Sequence, residues 1–243
     1  MGRFYIGTSG WSYDHWQGIL YPHPTPVSRR LPFYLQRYDT VELNYSYYRW
    51  PADKTFAGWH ERLPDDFVMT VKASRGLTHF ARLLHPEQWL ERITRGVTLL
   101  HDNLGVLLVQ LPPKMAYDYP RLEYFLEQVP PWLRVAVEFR HPSWHTEEIF
   151  ELMEQRGAAY CIMSGANLPC ILRATAPFVY VRLHGPDPHY LYGGSYSDDD
   201  LRWWAERMRE WQAAGRDVFA YFNNDWGGNA LRNADTLKAI LAS

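Results

Sequence analysis

The stretch Val135-Ala-Val-Glu-Phe-Arg-His-Pro-Ser-Trp144 is the part of the chain from which the fold is best inferred. Residues with strand preference run into Glu138, Arg140 and His141, and Pro142 then ends the strand and prepares a helix. A carboxylate within an apolar run must be paired or hydrogen-bonded, because a buried and isolated charge is costly. Strand alternation puts Glu138 and Arg140 on one face and the two valines on the other. The polar groups of this stretch therefore point the same way.

Composition limits the class of protein. The chain has 243 residues, of which 47% are hydrophobic and 21% charged, as expected of a globular protein with a substantial core. A net charge of −2 gives no global attraction to nucleic acid or to an anionic membrane, so a basic site must be a local concentration of charge. Cys161 and Cys170 form no ligand or disulfide pattern, and neither a signal-peptide core nor a membrane-spanning run is present. These features predict a cytoplasmic protein.

Eight short runs have the character of strands, and most of the segments between them show helical spacing. The predicted strands are Phe4–Thr8, Thr40–Leu43, Phe67–Val71, Val106–Leu111, Val135–Phe139, Ala158–Met163, Phe178–Leu183 and Val218–Phe222. The sixth connector, around Leu168–Thr175, has the weakest helical pattern. Eight alternating strand-and-helix units in this length predict an α/β fold, a single-domain (β/α)8 barrel of TIM type over residues 1–243.

A doubly wound open sheet is the competing architecture. That fold would require a glycine-rich phosphate turn after an early strand, and Gly7-Thr-Ser-Gly10 followed by Trp11 does not have the right form. No linker, repeat or low-complexity segment marks a domain boundary. The barrel is therefore favoured.

Polar residues share one parity on six of the strands, while the opposite parity is apolar. In a barrel the inward parity becomes polar only at the open ends, so these side chains should meet at the C-terminal mouth, where barrel enzymes keep their active sites. The predicted cluster contains Glu42, Asn44, Lys72, Gln110, Glu138, Arg140, Arg182, His184, Tyr221 and Asn223, with Arg75, His79 and His141 on adjoining loops.

The charges of this cluster favour an anionic ligand. Four cationic side chains, counting Arg75, face two carboxylates on a chain that is slightly acidic overall. In the structural alternative, Glu42 and Glu138 pair with Lys72 and Arg182 in a buried network that only fixes the barrel.

The segment from Tyr221 to Ala230 is a second indication of an anion site. It leaves the eighth strand through Asn223 and Asn224 and opens the last helix through Gly227 and Gly228. Backbone N–H groups at a helix start bind anions, and loops after strands seven and eight are the usual phosphate site of such barrels.

Aromatic residues in the loops after the first two strands, among them Trp11 and Tyr48, could stack on a base or sugar, or could simply pack.

These observations predict an enzyme of hydrolase, lyase or isomerase type that acts on a phosphate-bearing or otherwise anionic small molecule. Glu42 or Glu138 would accept a proton, and Lys72 or His184 would act as electrophile or acid. No cofactor is predicted; a divalent metal at Glu42, Glu138 and His184 is an alternative that the nearby lysine and arginines oppose. The alternative function is a nucleic-acid-binding barrel with a basic mouth and an aromatic rim, without turnover. The sequence indicates no oligomeric state.

Several motifs occur in the order found in a known family. They are Gly7-Thr-Ser-Gly-Trp11, Val41-Glu-Leu-Asn44 with Tyr48, Lys72 with Thr78-His79, Gln110-Leu-Pro-Pro113, Glu138-Phe-Arg-His-Pro-Ser-Trp144, Tyr180-Val-Arg-Leu-His-Gly185 and Tyr221-Phe-Asn-Asn224. In these motifs the chain resembles the YecE-like family, domain of unknown function 72, over nearly its whole length. The resemblance implies a TIM-type barrel and no established activity. Members often carry an aspartate at the end of the sixth strand, where this chain has Ser164.

Overall fold

Strands and helices alternate along the chain, and the computed structural model describes residues 1–243. The strands are β1 (Phe4–Thr8), β2 (Thr40–Leu43), β3 (Val68–Lys72), β4 (Leu104–Gln110), β5 (Val135–Glu138), β6 (Ala159–Ser164), β7 (Phe178–Leu183) and β8 (Asp217–Phe222). The α-helices are α1 (Arg30–Leu35), α2 (Tyr45–Tyr48), α3 (Asp53–His60), α4 (Pro86–Val97), α5 (Tyr119–Gln128), α6 (Glu147–Gln155), α7 (Asp198–Ala213) and α8 (Asn229–Ala242).

The eight strands belong to one sheet in the order β1-β8-β7-β6-β5-β4-β3-β2. The recorded strand pairs are parallel, and an isolated parallel bridge joins Ser9, just after β1, to Glu42 in β2. All-parallel strands with helices in the connections define a single-domain (β/α)8 barrel of TIM type. The predicted fold class is confirmed, as are all eight predicted strands.

The connection between β6 and β7 contains no helix, although the other predicted connectors do. Asn167 has a left-handed backbone with φ of 57°, and Pro169 follows it, so a regular helix cannot continue through this segment. Thr175 instead bonds the strand backbone directly. Its Oγ1 accepts from the Tyr160 N–H at 2.7 Å and donates to the Ala158 carbonyl at 2.7 Å.

Helix α7 shows how local sequence sets an element. Ser197 caps its start in a capping box with Asp200, and three aspartates occupy the first turn, where the helix dipole favours negative charge. Leu201, Trp204 and Met208 recur at helical spacing and are buried. Gly215, with φ of 83°, follows the last turn and permits the left-handed residue that commonly ends a helix.

The chain divides into two compact units, each with its own buried side chains. The first unit consists of Met1–Glu42, Ile162–Ile171 and Phe178–Ser243. Its core includes Ile6, Trp16, Tyr34, Val179, Val181, Trp204, Val218, Ala220, Leu231 and Leu237. The valines of β7 and β8 are those that the sequence assigned to the apolar parity.

The second unit consists of Leu43–Cys161 and Leu172–Pro177. Its core includes Phe56, Met69, Val71, Leu90, Ile93, Leu107, Val109, Phe125, Phe139 and Trp144. Trp144, which closes the stretch from Val135, is fully buried, stacks on Phe139 with ring centroids 5.1 Å apart, and donates Nε1 to the Met115 carbonyl at 2.7 Å. This side chain anchors the loop that follows β5.

Candidate functional site

Glu42, in β2, is fully buried in the first unit and accepts four hydrogen bonds. Arg182 holds it in a bidentate pair, with Nε 2.9 Å from Oε2 and Nη2 2.7 Å from Oε1. The hydroxyls of Tyr180 and Ser9 each donate to it at 2.6 Å. Burial and the Glu42 carboxylate raise the pKa of the Tyr180 phenol well above its usual value, so this hydroxyl remains a donor. Glu42 is therefore a rigidly held, paired carboxylate.

Strand alternation and one glycine explain this arrangement. Tyr180 and Arg182 are two residues apart in β7 and so reach Glu42 from the same face. A Cβ on Gly7 would lie 2.5 Å from the Thr40 carbonyl oxygen, so only glycine allows β1 to lie this close to β2. The structural alternative set Glu42 and Glu138 against Lys72 and Arg182 as a group; in the structure Arg182 pairs with Glu42.

His184 and Asn223, at the ends of β7 and β8, also lie together in the first unit. The His184 ring is fully buried, and its Nδ1 is 3.2 Å from the Asn223 amide nitrogen. Tyr192 contacts the same ring edge-on, with centroids 5.4 Å apart. Tyr221 is buried deeper in the same face, and its hydroxyl bonds Thr40 Oγ1 at 2.7 Å. The acid role of His184 stays a prediction.

Asp225 and His15 form a pair that sequence reasoning did not find. Asp225 Oδ1 accepts a hydrogen bond from Trp16 Nε1 at 2.6 Å, and Oδ2 lies 2.8 Å from His15 Nε2. That second contact becomes an ion pair when His15 is protonated, and its geometry is not that of an aligned hydrogen bond. Burial raises the pKa of the Asp225 carboxyl to about 6, although His15 and Trp16 favour its ionised form.

The Asp225–His15 pair is not visible in the sequence because only the tertiary structure brings the two residues together. Asp225 lies in the segment that was predicted to bind an anion, and a carboxylate is an unexpected residue for that role. His15 occupies a 3₁₀ turn, Asp14–Trp16, more than two hundred residues earlier. The two meet because β1 pairs in register with β8, from Phe4 opposite Val218 to Thr8 opposite Phe222. No local sequence pattern encodes the pairing of these two distant strands.

A cleft of about 680 Å³ lies beside this pair, between the loops that follow β1, β7 and β8. Four aromatic side chains line it: Tyr13, Tyr190, Tyr192 and Trp226. Its polar side chains are His15, Asp187, Asn223 and Asp225. Clefts of this size, apolar with a few convergent polar groups, are typical small-molecule sites.

The start of α8 follows closely in sequence after Trp226, the last residue that lines the cleft. Gly227 and Gly228 have left-handed backbones, with φ of 62° and 77°, and no side chain caps the helix that begins at Asn229. Asn224 is fully buried and donates to the Gly194 carbonyl at 3.0 Å, which ties the loop after β8 to the loop after β7. The helix dipole gives this end a partial positive charge.

The raised pKa of Asp225 predicts a dependence of stability on pH. The folded state keeps the proton until about pH 6, whereas an unfolded aspartate loses it near pH 4, so unfolding releases a proton between these values. Stability from this group is therefore present below about pH 4 and lost as pH rises to about 6, by up to about 3 kcal/mol. Urea unfolding of the wild type and Asp225→Asn across this range checks this. The difference in free energy of unfolding between the two proteins should change by about 3 kcal/mol from pH 4 to pH 6. If the free energies of the two proteins instead vary with pH in parallel, the prediction is wrong.

Glu138, at the end of β5, is fully buried in the second unit and has its own partners there. Arg140, whose side chain is 7% exposed, forms a close ion pair with it through Nε. Gln110 lies opposite Glu138 in the register of β4 and β5, and its amide nitrogen donates to Oε1 at 2.7 Å. Cys161 is nearby, with Sγ 3.9 Å from Oε2. The polar parity predicted for these strands thus brings Gln110, Glu138 and Arg140 together.

Lys72 and His79 are neighbours in the same unit. The ammonium of Lys72 lies over the ring of Tyr47, 4.6 Å from its centroid, and His79 meets that ring edge-on at 5.1 Å. Burial, and then the Lys72 charge, lower the pKa of His79, so this imidazole is held neutral. Lys72 remains a predicted electrophile that no observation tests.

The remaining predicted residues have more varied surroundings. His141 caps the turn Pro142–Trp144, accepting from the Ser143 N–H at 3.2 Å, which is a structural role. Asn44 is half-buried, and its buried Oδ1 has no hydrogen-bond partner. Trp11 is half-buried in the loop after β1.

Tyr48 and Arg75 are exposed and line a separate groove of the second unit, described below. Ser164 Oγ, at the end of β6, accepts a hydrogen bond from the Tyr196 hydroxyl at 3.0 Å.

Two further features concern metals and membranes. No group of three or more histidine, cysteine, aspartate or glutamate side chains is arranged to hold a metal ion. None of the helices combines the length and the apolar character that crossing a bilayer requires.

The fold and these buried pairs define a TIM-type barrel with polar clusters at its strand ends. Residues 5–243 match the family model described as protein of unknown function DUF72. The chain belongs to this family, which confirms the resemblance seen in its motifs.

Several relatives extend over most of the chain. The chain is 28% identical over 274 aligned positions to the UPF0759 protein YunF of Bacillus subtilis, covering 98% of this chain and 94% of that protein. It is 28% identical to the UPF0759 protein YecE of Escherichia coli K12, over 63% of this chain and 54% of that protein. A solved DUF72 family protein of Thermotoga maritima has a TM-score of 0.88 at 29% identity, covering 99% of this chain and 100% of that one. One from Enterococcus faecalis, with a TM-score of 0.83 at 18% identity over 100% of this chain and 99% of that one, shares the fold.

Proposed function

We propose that this barrel is an enzyme that performs acid–base chemistry on a small anionic molecule bound in the cleft of the first unit. The observation that carries the proposal is Asp225, a mostly buried carboxyl that lines the cleft, has a pKa of about 6 and sits beside His15. A titratable group perturbed by desolvation and by a specific partner, in a cleft, is a candidate for catalysis.

Asp225 is suited to act as a general base. A carboxyl with a pKa of about 6 is mostly ionised at neutral pH, yet it is more basic than an ordinary aspartate. Oδ2 has no aligned hydrogen bond, although His15 Nε2 lies 2.8 Å away, and a carboxylate oxygen of this kind can take up a proton from a bound molecule. His15 and Trp16 hold the carboxylate in one orientation.

The start of α8 is the proposed place for the anionic group of the substrate. No side chain caps this helix start, which follows Gly227 and Gly228, and such a helix start is the phosphate site usual after strands seven and eight of such barrels. Asn223 lines the cleft, and its amide nitrogen, which bonds His184 Nδ1, has a second hydrogen to donate. The tyrosines and Trp226 would cover the rest of a small molecule and exclude water.

The two buried glutamates take supporting roles in this proposal. Glu42 directs its oxygens to Arg182, Tyr180 and Ser9, and Glu138 accepts from Arg140 and Gln110. Such pairs fix the strand ends on which the loops rest. The cleft, at about 680 Å³, has the size of a small-molecule site, which favours a small ligand over an extended nucleic-acid backbone at this place.

A ligand screen followed by a substitution tests the proposal. Thermal shifts of the wild type with sugar phosphates, phosphorylated organic acids and sulfate identify binders, and ³¹P NMR and mass spectrometry of each mixture detect conversion. Asp225→Asn should leave binding within a few-fold and lower turnover by about 10²-fold or more, because the proton acceptor is lost. The control is Asp199→Asn on the exposed side of α7, which should retain activity. No shift by any compound, or equal turnover by Asp225→Asn, would refute the proposal.

A further inference from the structure

A second groove, of about 760 Å³, lies wholly within the second unit. It is formed by α2 and the residues after it, by the segment that follows β3, and by α4. Three arginines line it: Arg49, Arg75 and Arg92. Five aromatic residues line it as well: Tyr45, Tyr48, Trp50, Phe80 and Trp89.

The charge of this groove is uncompensated. No aspartate or glutamate lines it, and none of its three exposed arginines forms an ion pair with a carboxylate. Arg95, on the same helix as Arg92, shows the contrast, since its Nε pairs with Asp53 at 2.9 Å. Guanidinium groups gathered without counter-ions repel one another, and a planar fork of donors matches phosphate. The groove therefore selects an anion.

The aromatic side chains are unusually exposed for their size. Tyr45, Tyr48 and Phe80 are 53%, 67% and 73% exposed. The Arg75 guanidinium lies over the Phe80 ring, 5.5 Å from its centroid, so cation and ring are presented together. Exposed rings beside arginines are the features with which proteins stack bases and hold phosphates.

One wall of the groove includes irregular backbone. Gly76 and Phe80, which line the groove, belong to a single π-helical turn, Gly76–Phe80. Beyond the groove, Arg82, Leu83 and His85 have left-handed backbones with φ of 49°, 63° and 47°. A Cβ on Gly76 would lie 2.1 Å from the Trp89 ring, so only glycine lets this ring pack against the turn. Single π-turns and left-handed residues cluster at functional sites.

From the unpaired arginines and the exposed rings we infer that this groove binds a nucleoside phosphate, with the base stacked on the aromatic side chains and the phosphate held by Arg75 and Arg92. The volume suits one nucleotide, since small-molecule sites span about 300–1,000 Å³. The nucleoside phosphate is either a free nucleotide or one residue of a single strand. This site is separate from the cleft of the first unit and does not depend on the function proposed there.

Isothermal titration calorimetry with AMP, ATP, adenosine, inorganic phosphate and a short oligothymidylate tests the inference. AMP or ATP, or the oligomer, should bind at least about tenfold more tightly than adenosine or phosphate alone, because base and phosphate are both recognised. Tighter binding of the oligomer identifies a strand as the natural source, and tighter binding of the mononucleotides identifies a free nucleotide. Arg75→Ala, Arg92→Ala and Tyr48→Ala should each weaken that binding about tenfold or more.

Arg95→Ala is the matched control. It removes one exposed positive charge from the same helix without touching the groove, so it should change affinity by less than about twofold. Far-UV circular dichroism of each variant verifies folding. The inference is overturned if neither nucleotide nor oligomer binds, if phosphate binds as tightly as AMP, or if Arg95→Ala weakens binding as much as Arg92→Ala.

Discussion

Arg182→Ala is expected to lower the free energy of unfolding by about 3–5 kcal/mol, because it leaves the Glu42 carboxylate buried without its cation. Both residues are fully buried, and two hydrogen bonds of the bidentate pair would be lost at once. Ser9 and Tyr180 remain as donors, but neutral hydroxyls do not offset a buried charge. Thermal unfolding should show a fall in Tm on the order of 10 °C.

Two further variants separate this effect from a general loss of packing. Arg202→Ala removes an exposed pair with Asp199, 2.6 Å apart, and should cost less than about 1 kcal/mol. The double variant Glu42→Gln with Arg182→Met removes both charges and should be more stable than Arg182→Ala. If Arg182→Ala unfolds like Arg202→Ala, the pair does not stabilise the barrel.

Trp144→Ala should lower the free energy of unfolding by a similar amount, about 3–5 kcal/mol. The indole is fully buried in the second unit, where it stacks on Phe139, and its loss leaves a cavity and an unpaired Met115 carbonyl. Chemical denaturation monitored by circular dichroism measures the change.

A tryptophan at the surface of the same unit provides the control. Trp132 is 52% exposed, and Trp132→Ala should cost less than about 1 kcal/mol. Trp144→Phe keeps a ring but not the donor, so it should fall between the wild type and Trp144→Ala. Equal losses for Trp132→Ala and Trp144→Ala would show that burial of Trp144 is not what holds the loop after β5.

The fold was predictable because its information is local. Alternation of apolar and polar residues along Val135–Glu138 or Phe178–Leu183 identifies strands, and helical spacing between them identifies the connectors. Strand alternation also puts Glu42 and Arg182, and Gln110 and Glu138, among the polar residues of one parity. It does not determine which cation meets which carboxylate: the structure pairs Arg182 with Glu42, and Glu138 with Arg140 and Gln110.

The sequence by itself therefore determined the eight strands, the barrel class, and which polar side chains share a face. Only the tertiary structure decided which of them stay available for chemistry. Arg182 and Arg140 are cations in the sequence, but in the fold their charges are taken up by Glu42 and Glu138. His15 meets Asp225 only because β1 pairs with β8, and burial at that junction raises the carboxyl pKa. Pairing between distant strands and the exclusion of water depend on the packing of the whole chain, and no short sequence pattern encodes them.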